Sequence, residues 1–106
     1  MKESLEKRAA TGLALLEELE GLLIAQNERN YIRGIRAVIA ELRQPDGSVD
    51  VAGFENARSS YLHMTSGGRR FAEYCVWDDD YDTRRLANSR LDQIRHQLWW
   101  LFSSED

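Results

Sequence analysis

The chain has 106 residues, enough for one domain with a modest core and too few for two. Hydrophobic residues make up 42 % and charged residues 30 %, a balance that suits a folded globular chain and excludes a disordered one. The formal net charge of -4 argues against general phosphate-backbone binding, which needs a basic face. A basic protein partner stays open.

One cysteine, Cys75, allows no intramolecular disulfide and no paired-thiol zinc site. A lone thiol fits a reducing compartment. The start of the chain, Met1-Lys2-Glu3-Ser4-Leu5-Glu6-Lys7-Arg8, lacks the apolar run and cleavage site of a signal peptide. Every longer apolar stretch is broken by charge, so no membrane span is expected. These features together predict a cytoplasmic location.

The first predicted helix runs from Glu3 to about Gln26. Leu5, Ala9, Leu13, Leu16, Leu19 and Leu23, with Leu15 beside them, recur at spacings of three and four and share one stripe. Gly12 and Gly21 weaken it, each by roughly 1 kcal/mol against alanine. The polar run Asn27 to Asn30 marks a turn. A second helix runs from about Glu28 or Asn30 to Arg43, with Tyr31, Ile32, Ile35, Val38, Ile39 and Leu42 on its apolar side. Gln44-Pro45-Asp46-Gly47 stops it, because proline breaks the hydrogen-bond ladder and Asp-Gly favours a turn.

Ser48 or Asp50 can cap a third helix carrying Val51, Phe54, Ala57, Tyr61 and Leu62 and ending near Met64. Gly67-Gly68 is the clearest break. The aromatic run Phe71 to Trp77 fits either a buried helical piece or an extended one. Asp78 to Asp80 then offer capping carboxylates to a last helix, which reaches Phe102 through Tyr81, Leu86, Leu91, Ile94, Leu98 and Leu101. Asn88-Ser89 is a place where that helix can split. The expected fold is all-α: a small helical bundle of four to five helices, with a Gly-Gly loop and a short aromatic segment.

No motif carries a catalytic signature. Asp78, Asp79, Asp80 and Asp82 have oxygen for Mg²⁺ or Ca²⁺, but consecutive residues point apart and the spacing matches no calcium loop. Helix capping, or an acidic contact for a basic partner, explains them better. His63 lies near a helix end and His96 on a polar stripe. Cys75, between Tyr74 and Val76, reads as a small buried hydrophobe. Gly67-Gly68-Arg69-Arg70 lacks the lysine and hydroxyl of a phosphate loop. Most of the fourteen basic residues are arginine, yet acidic residues accompany them, so no basic stripe is expected. Trp99 and Trp100 are adjacent and lie about 100° apart on a helix, so with Leu98 and Leu101 inward one indole belongs at the surface. That indole either marks a protein interface, where exposed tryptophan is enriched, or covers a neighbouring helix.

The stretch Tyr61, Met64, Gly67-Gly68, Phe71, Trp77, Asp79-Asp80, Asn88, Leu91, Ile94, Leu98-Trp99 and Leu101-Phe102 resembles a group of small helical bacterial proteins similar to immunity proteins of polymorphic and interbacterial toxins. The resemblance implies a non-enzymatic protein that binds a cognate toxin and occludes its active site. It transfers no individual residues. Chemistry alone selects Asp78, Asp79, Asp80 and Asp82 for charge, Trp77 and Trp100 as aromatic anchors, and Glu17, Glu18 and Glu20 as a second acidic patch. No cofactor, metal, nucleic acid or membrane is expected. The alternative is a helical regulatory or scaffold protein that self-associates, for which a homodimer is the simplest form.

Overall fold

Ser4 opens the first helix: its hydroxyl accepts a hydrogen bond from the Lys7 amide at 3.2 Å, satisfying a donor that has no partner within the helix. The computed structural model describes residues 4–66 and 71–103. Helix α1 spans Leu5–Ala25 and buries Ala9, Leu13, Leu15, Leu16, Leu19 and Leu23. Leu5 was expected on the same stripe but is 43 % exposed. It sits in the first turn, ahead of the point where α1 meets the rest of the bundle. After α1 the chain reverses at Asn27, whose φ of 54° is the left-handed conformation that asparagine tolerates better than most residues.

Helix α2, Tyr31–Leu42, buries Ile32, Ile35, Val38, Ile39 and Leu42, as its periodicity predicts. Its start is capped by Glu28 rather than by Asn30. The Glu28 carboxylate accepts the amides of Asn30, Tyr31 and Ile32 at 2.7, 2.7 and 2.9 Å. A negative group there meets the positive end of the helix dipole. The predicted Pro45 stop holds: Gly47 takes a φ of 91°, and Arg43 bridges to Val49 across the turn.

Asp50 accepts the Ala52 amide at 3.1 Å, but what it caps is a single 3₁₀ turn, Val51–Gly53. The third helix, α3, begins after that turn and spans Phe54–Ser66. A β-carbon on Gly53 would lie 1.7 Å from the Glu41 carbonyl oxygen, so the backbone crosses the end of α2 where only glycine fits. Phe54, Ala57 and Tyr61 are then buried.

The Gly67-Gly68 loop and Arg69-Arg70 lie outside the described residues. A 3₁₀ turn at Phe71–Glu73 follows, and then an irregular stretch to Asp80. Exposure alternates along it, with Cys75 out, Val76 in and Trp77 out. That two-residue period places Cys75 at the surface, correcting the expectation that it is buried.

Helix α4, Tyr81–Ser103, is continuous through Asn88 and Ser89 and buries Leu91, Ile94, Leu98 and Phe102. Tyr81 and Leu86 were expected on the same stripe but are 64 % and 60 % exposed. At 3.6 residues per turn Leu86 lies about 140° round the helix from Leu91, which points it away from the core. Helix α2 packs on α1 and α3, and α4 packs on the same pair. Two arginines close the end of α4: Arg8 Nη2 donates to the Leu101 carbonyl at 2.5 Å, and Arg58 Nε donates to the Phe102 carbonyl at 2.6 Å. Both are cations at the negative end of the helix dipole. The chain is therefore an all-α bundle of four helices among the described residues. None of those helices is long and apolar enough to cross a membrane.

Candidate interaction surface on α4 and its lead-in

The segment before α4 is held by two side-chain amides. Asn88, from α4, accepts the Val76 amide at 2.7 Å and returns its own Nδ2 to the Val76 carbonyl at 3.0 Å. Gln26, at the end of α1, does the same for Trp77, at 2.8 and 2.9 Å. Arg95 adds two bonds, to the carbonyls of Phe71 at 2.6 Å and Tyr74 at 2.8 Å. Polar backbone that no sheet pairs is thereby satisfied by side chains. The consequence is a fixed position for Trp77.

All three tryptophans of the chain are at the surface: Trp77 is 66 %, Trp99 52 % and Trp100 59 % exposed. One surface indole was expected at the end of α4, and there are two. The Trp77 ring lies under the Arg84 guanidinium at 4.4 Å, which also stands 5.5 Å from the Tyr81 ring. Trp100 donates its indole N–H to His96 Nε2 at 3.1 Å. The aromatic surface thus has two ends, Trp77 with Tyr81 and Trp99 with Trp100, some 27 Å apart by the rise of about 1.5 Å per residue.

The aspartate run is divided in its roles. Asp80 caps α4: its Oδ2 accepts the Thr83 amide at 2.8 Å and the Thr83 hydroxyl at 2.7 Å. These bonds hold its carboxyl below the usual range. Asp78 accepts the Asp80 amide at 2.8 Å. Asp79 and Asp82 are exposed. The second acidic patch is differently placed. Glu17 pairs with Arg43 at 3.0 Å, Glu20 with Arg36 at 2.9 Å and Glu18 with Arg90 at 2.5 Å. The Arg90 hydrogen bond lowers the Glu18 pKa. These carboxylates tie α1 to α2 (Glu20), to Arg43 just past the end of α2 (Glu17) and to α4 (Glu18), whereas Asp79 and Asp82 neighbour Trp77 and Tyr81 in the chain.

Two concavities were not foreseen from the sequence. One, between α3 and α4, has a volume of 260 Å³ and is lined among the described residues by Tyr61, Thr65, Asp92, Arg95, His96 and Trp99. The other, 340 Å³, runs beside Arg29, Arg33 and Arg36 with Ile24 and Ile32. The spacing of those arginines, four and then three, was a legible signal. Residues 61–65 and 92–99 are distant in sequence, so the first groove had no local signal. Among the described residues no three His, Cys, Asp or Glu side chains gather as metal ligands. No family model matches the chain, and no curated protein or solved structure matches it either.

Proposed function

We propose that this protein acts by binding another protein through α4 and the segment that leads into it. The observation that supports this reading is the exposure of every tryptophan, together with Tyr81 and Leu86 of the same α4 region. Indoles are large, two-faced groups that commonly carry a disproportionate share of interface energy. Asp79 and Asp82 supply a negative rim beside Trp77 that favours a basic partner surface. The more specific role, neutralising a cognate toxin by covering its active site, rests on the resemblance of Tyr61 to Phe102 to immunity proteins.

Co-expression with candidate toxins and capture of the tagged chain from its host test this directly. A captured partner should be lost, by about thirtyfold in affinity or more, when Trp77 and Trp100 are both changed to Ala. Retention of the partner at full affinity by that double variant would sink the α4 surface. A dimer of the isolated chain in light scattering, with no partner captured, would instead favour the self-associating scaffold, for which the same indoles would serve.

A further inference from the structure

We propose that the groove beside Arg29, Arg33 and Ile24 binds an acidic segment of a protein partner, through residues other than those of α4 and its lead-in. The seam between α1 and α2 is laced by ion pairs. Glu17 meets Arg43 at 3.0 Å, and Glu20 meets Arg36 at 2.9 Å. Helical spacing puts the next α1 side chain of that row at Ile24, four residues after Glu20. The facing row continues with cations, Arg33 and then Arg29, three and seven residues before Arg36. Ile24, Arg29, Arg33 and Arg36 all line the same 340 Å³ concavity. The third place in the row therefore holds two guanidinium groups where α1 supplies no carboxylate.

Arg29 and Arg33 are exposed, and among the described residues neither has an ion pair. Glu28 lines the same groove, but its carboxylate is taken by the amides of Asn30, Tyr31 and Ile32. Ile24 is 54 % exposed, so an apolar surface adjoins the free cations. The filled places show what this row takes: a glutamate carboxylate against the fork of an arginine. A nucleic acid would meet a chain of net charge -4 and would leave Ile24 uncovered. An acidic peptide segment brings carboxylates for Arg29 and Arg33 and an apolar side chain for Ile24, which matches the groove in both charge and polarity.

The test is an NMR titration of the full chain with the peptide acetyl-Glu-Leu-Leu-Glu-amide and with its uncharged counterpart, acetyl-Gln-Leu-Leu-Gln-amide. Saturable shifts are expected at the Arg29 and Arg33 Nε–H groups and the Ile24 methyls, with the Trp100 indole unmoved. The glutamate peptide should bind about fivefold tighter than the glutamine one, the worth of two exposed ion pairs. Changing Arg29 and Arg33 together to Gln should bring the two peptides level. Ile24→Glu places the missing carboxylate in the chain itself, at a half-exposed position, and should weaken the glutamate peptide by about fivefold or more. Shifts that do not saturate, equal affinities in the wild type, or an unchanged preference in the double arginine variant would each overturn the site. Tighter binding of inorganic phosphate or oligothymidylate at the same residues would overturn a protein segment as occupant. Trp77 and Trp100 variants should leave this titration unchanged, so the groove and the α4 surface stand or fall separately.

Discussion

Gln26 and Trp77, 51 residues apart, exchange two hydrogen bonds: the Trp77 amide donates to Oε1 at 2.8 Å, and Nε2 donates to the Trp77 carbonyl at 2.9 Å. With the matching Asn88–Val76 pair, it makes two helices act as the neighbours that a strand would find in a sheet. Trp77 is exposed because its backbone, not its ring, is what the fold holds.

Asn88→Ala provides the sharpest check on this arrangement. If Asn88 were merely a poor helix former, alanine would stabilise α4 by a few tenths of a kcal/mol. The structure gives the opposite sign. Removing the amide leaves the Val76 N–H and carbonyl unmet, and a loss of about 1–3 kcal/mol is expected. Urea denaturation measures it; a stabilised Asn88→Ala variant would contradict the pairing.

Two glycines on the same molecule should respond in opposite directions. Gly21 lies within α1 with nothing within 4 Å of an added β-carbon, so Gly21→Ala should raise stability by about 1 kcal/mol. Gly53→Ala drives a methyl into the Glu41 carbonyl and should be strongly destabilising. Thermal melts of the two variants beside the wild type decide both.

Burial and exposure along α4 separate stability from binding. Leu98 is wholly buried, and Leu98→Ala should cost about 2–5 kcal/mol. Its neighbour but one, Trp100, touches solvent over most of its surface, and Trp100→Gln should stay within about 0.5 kcal/mol of wild type. A Trp100→Gln variant that melts like Leu98→Ala would show that the indole serves the core.

The acid limb of stability has identifiable sources. Hydrogen bonds from Arg90 and from Thr83 hold the Glu18 and Asp80 carboxyls below their ordinary values in the folded state. A depressed folded pKa stabilises above the unfolded value and is lost as pH falls through the folded one. Stability should therefore drop as pH falls from about 5 toward 2. Glu18→Gln and Asp80→Asn should each flatten that slope in urea midpoints measured across the range. The Glu18 share should be the smaller at high salt, because both partners of its pair are solvent-facing.

Much of the bundle was legible in the residues. The apolar spacings of α1 and α2 and the Pro45-Gly47 stop follow from local rules, and, Leu5 apart, the elements match them. The third helix begins only after a 3₁₀ turn whose Gly53 meets the Glu41 backbone, a contact between segments that no local pattern records. Cys75 was misplaced for a related reason: composition cannot say which side of an irregular segment faces in. Asn88 and Ser89 have the composition of a break, yet Asn88 stays helical because its amide has a use elsewhere.

The candidate surface shows the same division. Adjacency alone required one of Trp99 and Trp100 to lie outward, since a helix turns about 100° per residue. That both are out, that Glu17, Glu18 and Glu20 are each tied to an arginine from another part of the chain, and that Tyr61 lines a groove with Trp99 were decided by the packing of segments distant in sequence. Helical periodicity is a property of neighbours a few residues apart, so the sequence by itself determined the class of fold and the stripes that build its core. Ion pairing and surface exposure depend on what arrives from elsewhere in the chain, and only the tertiary structure decided them.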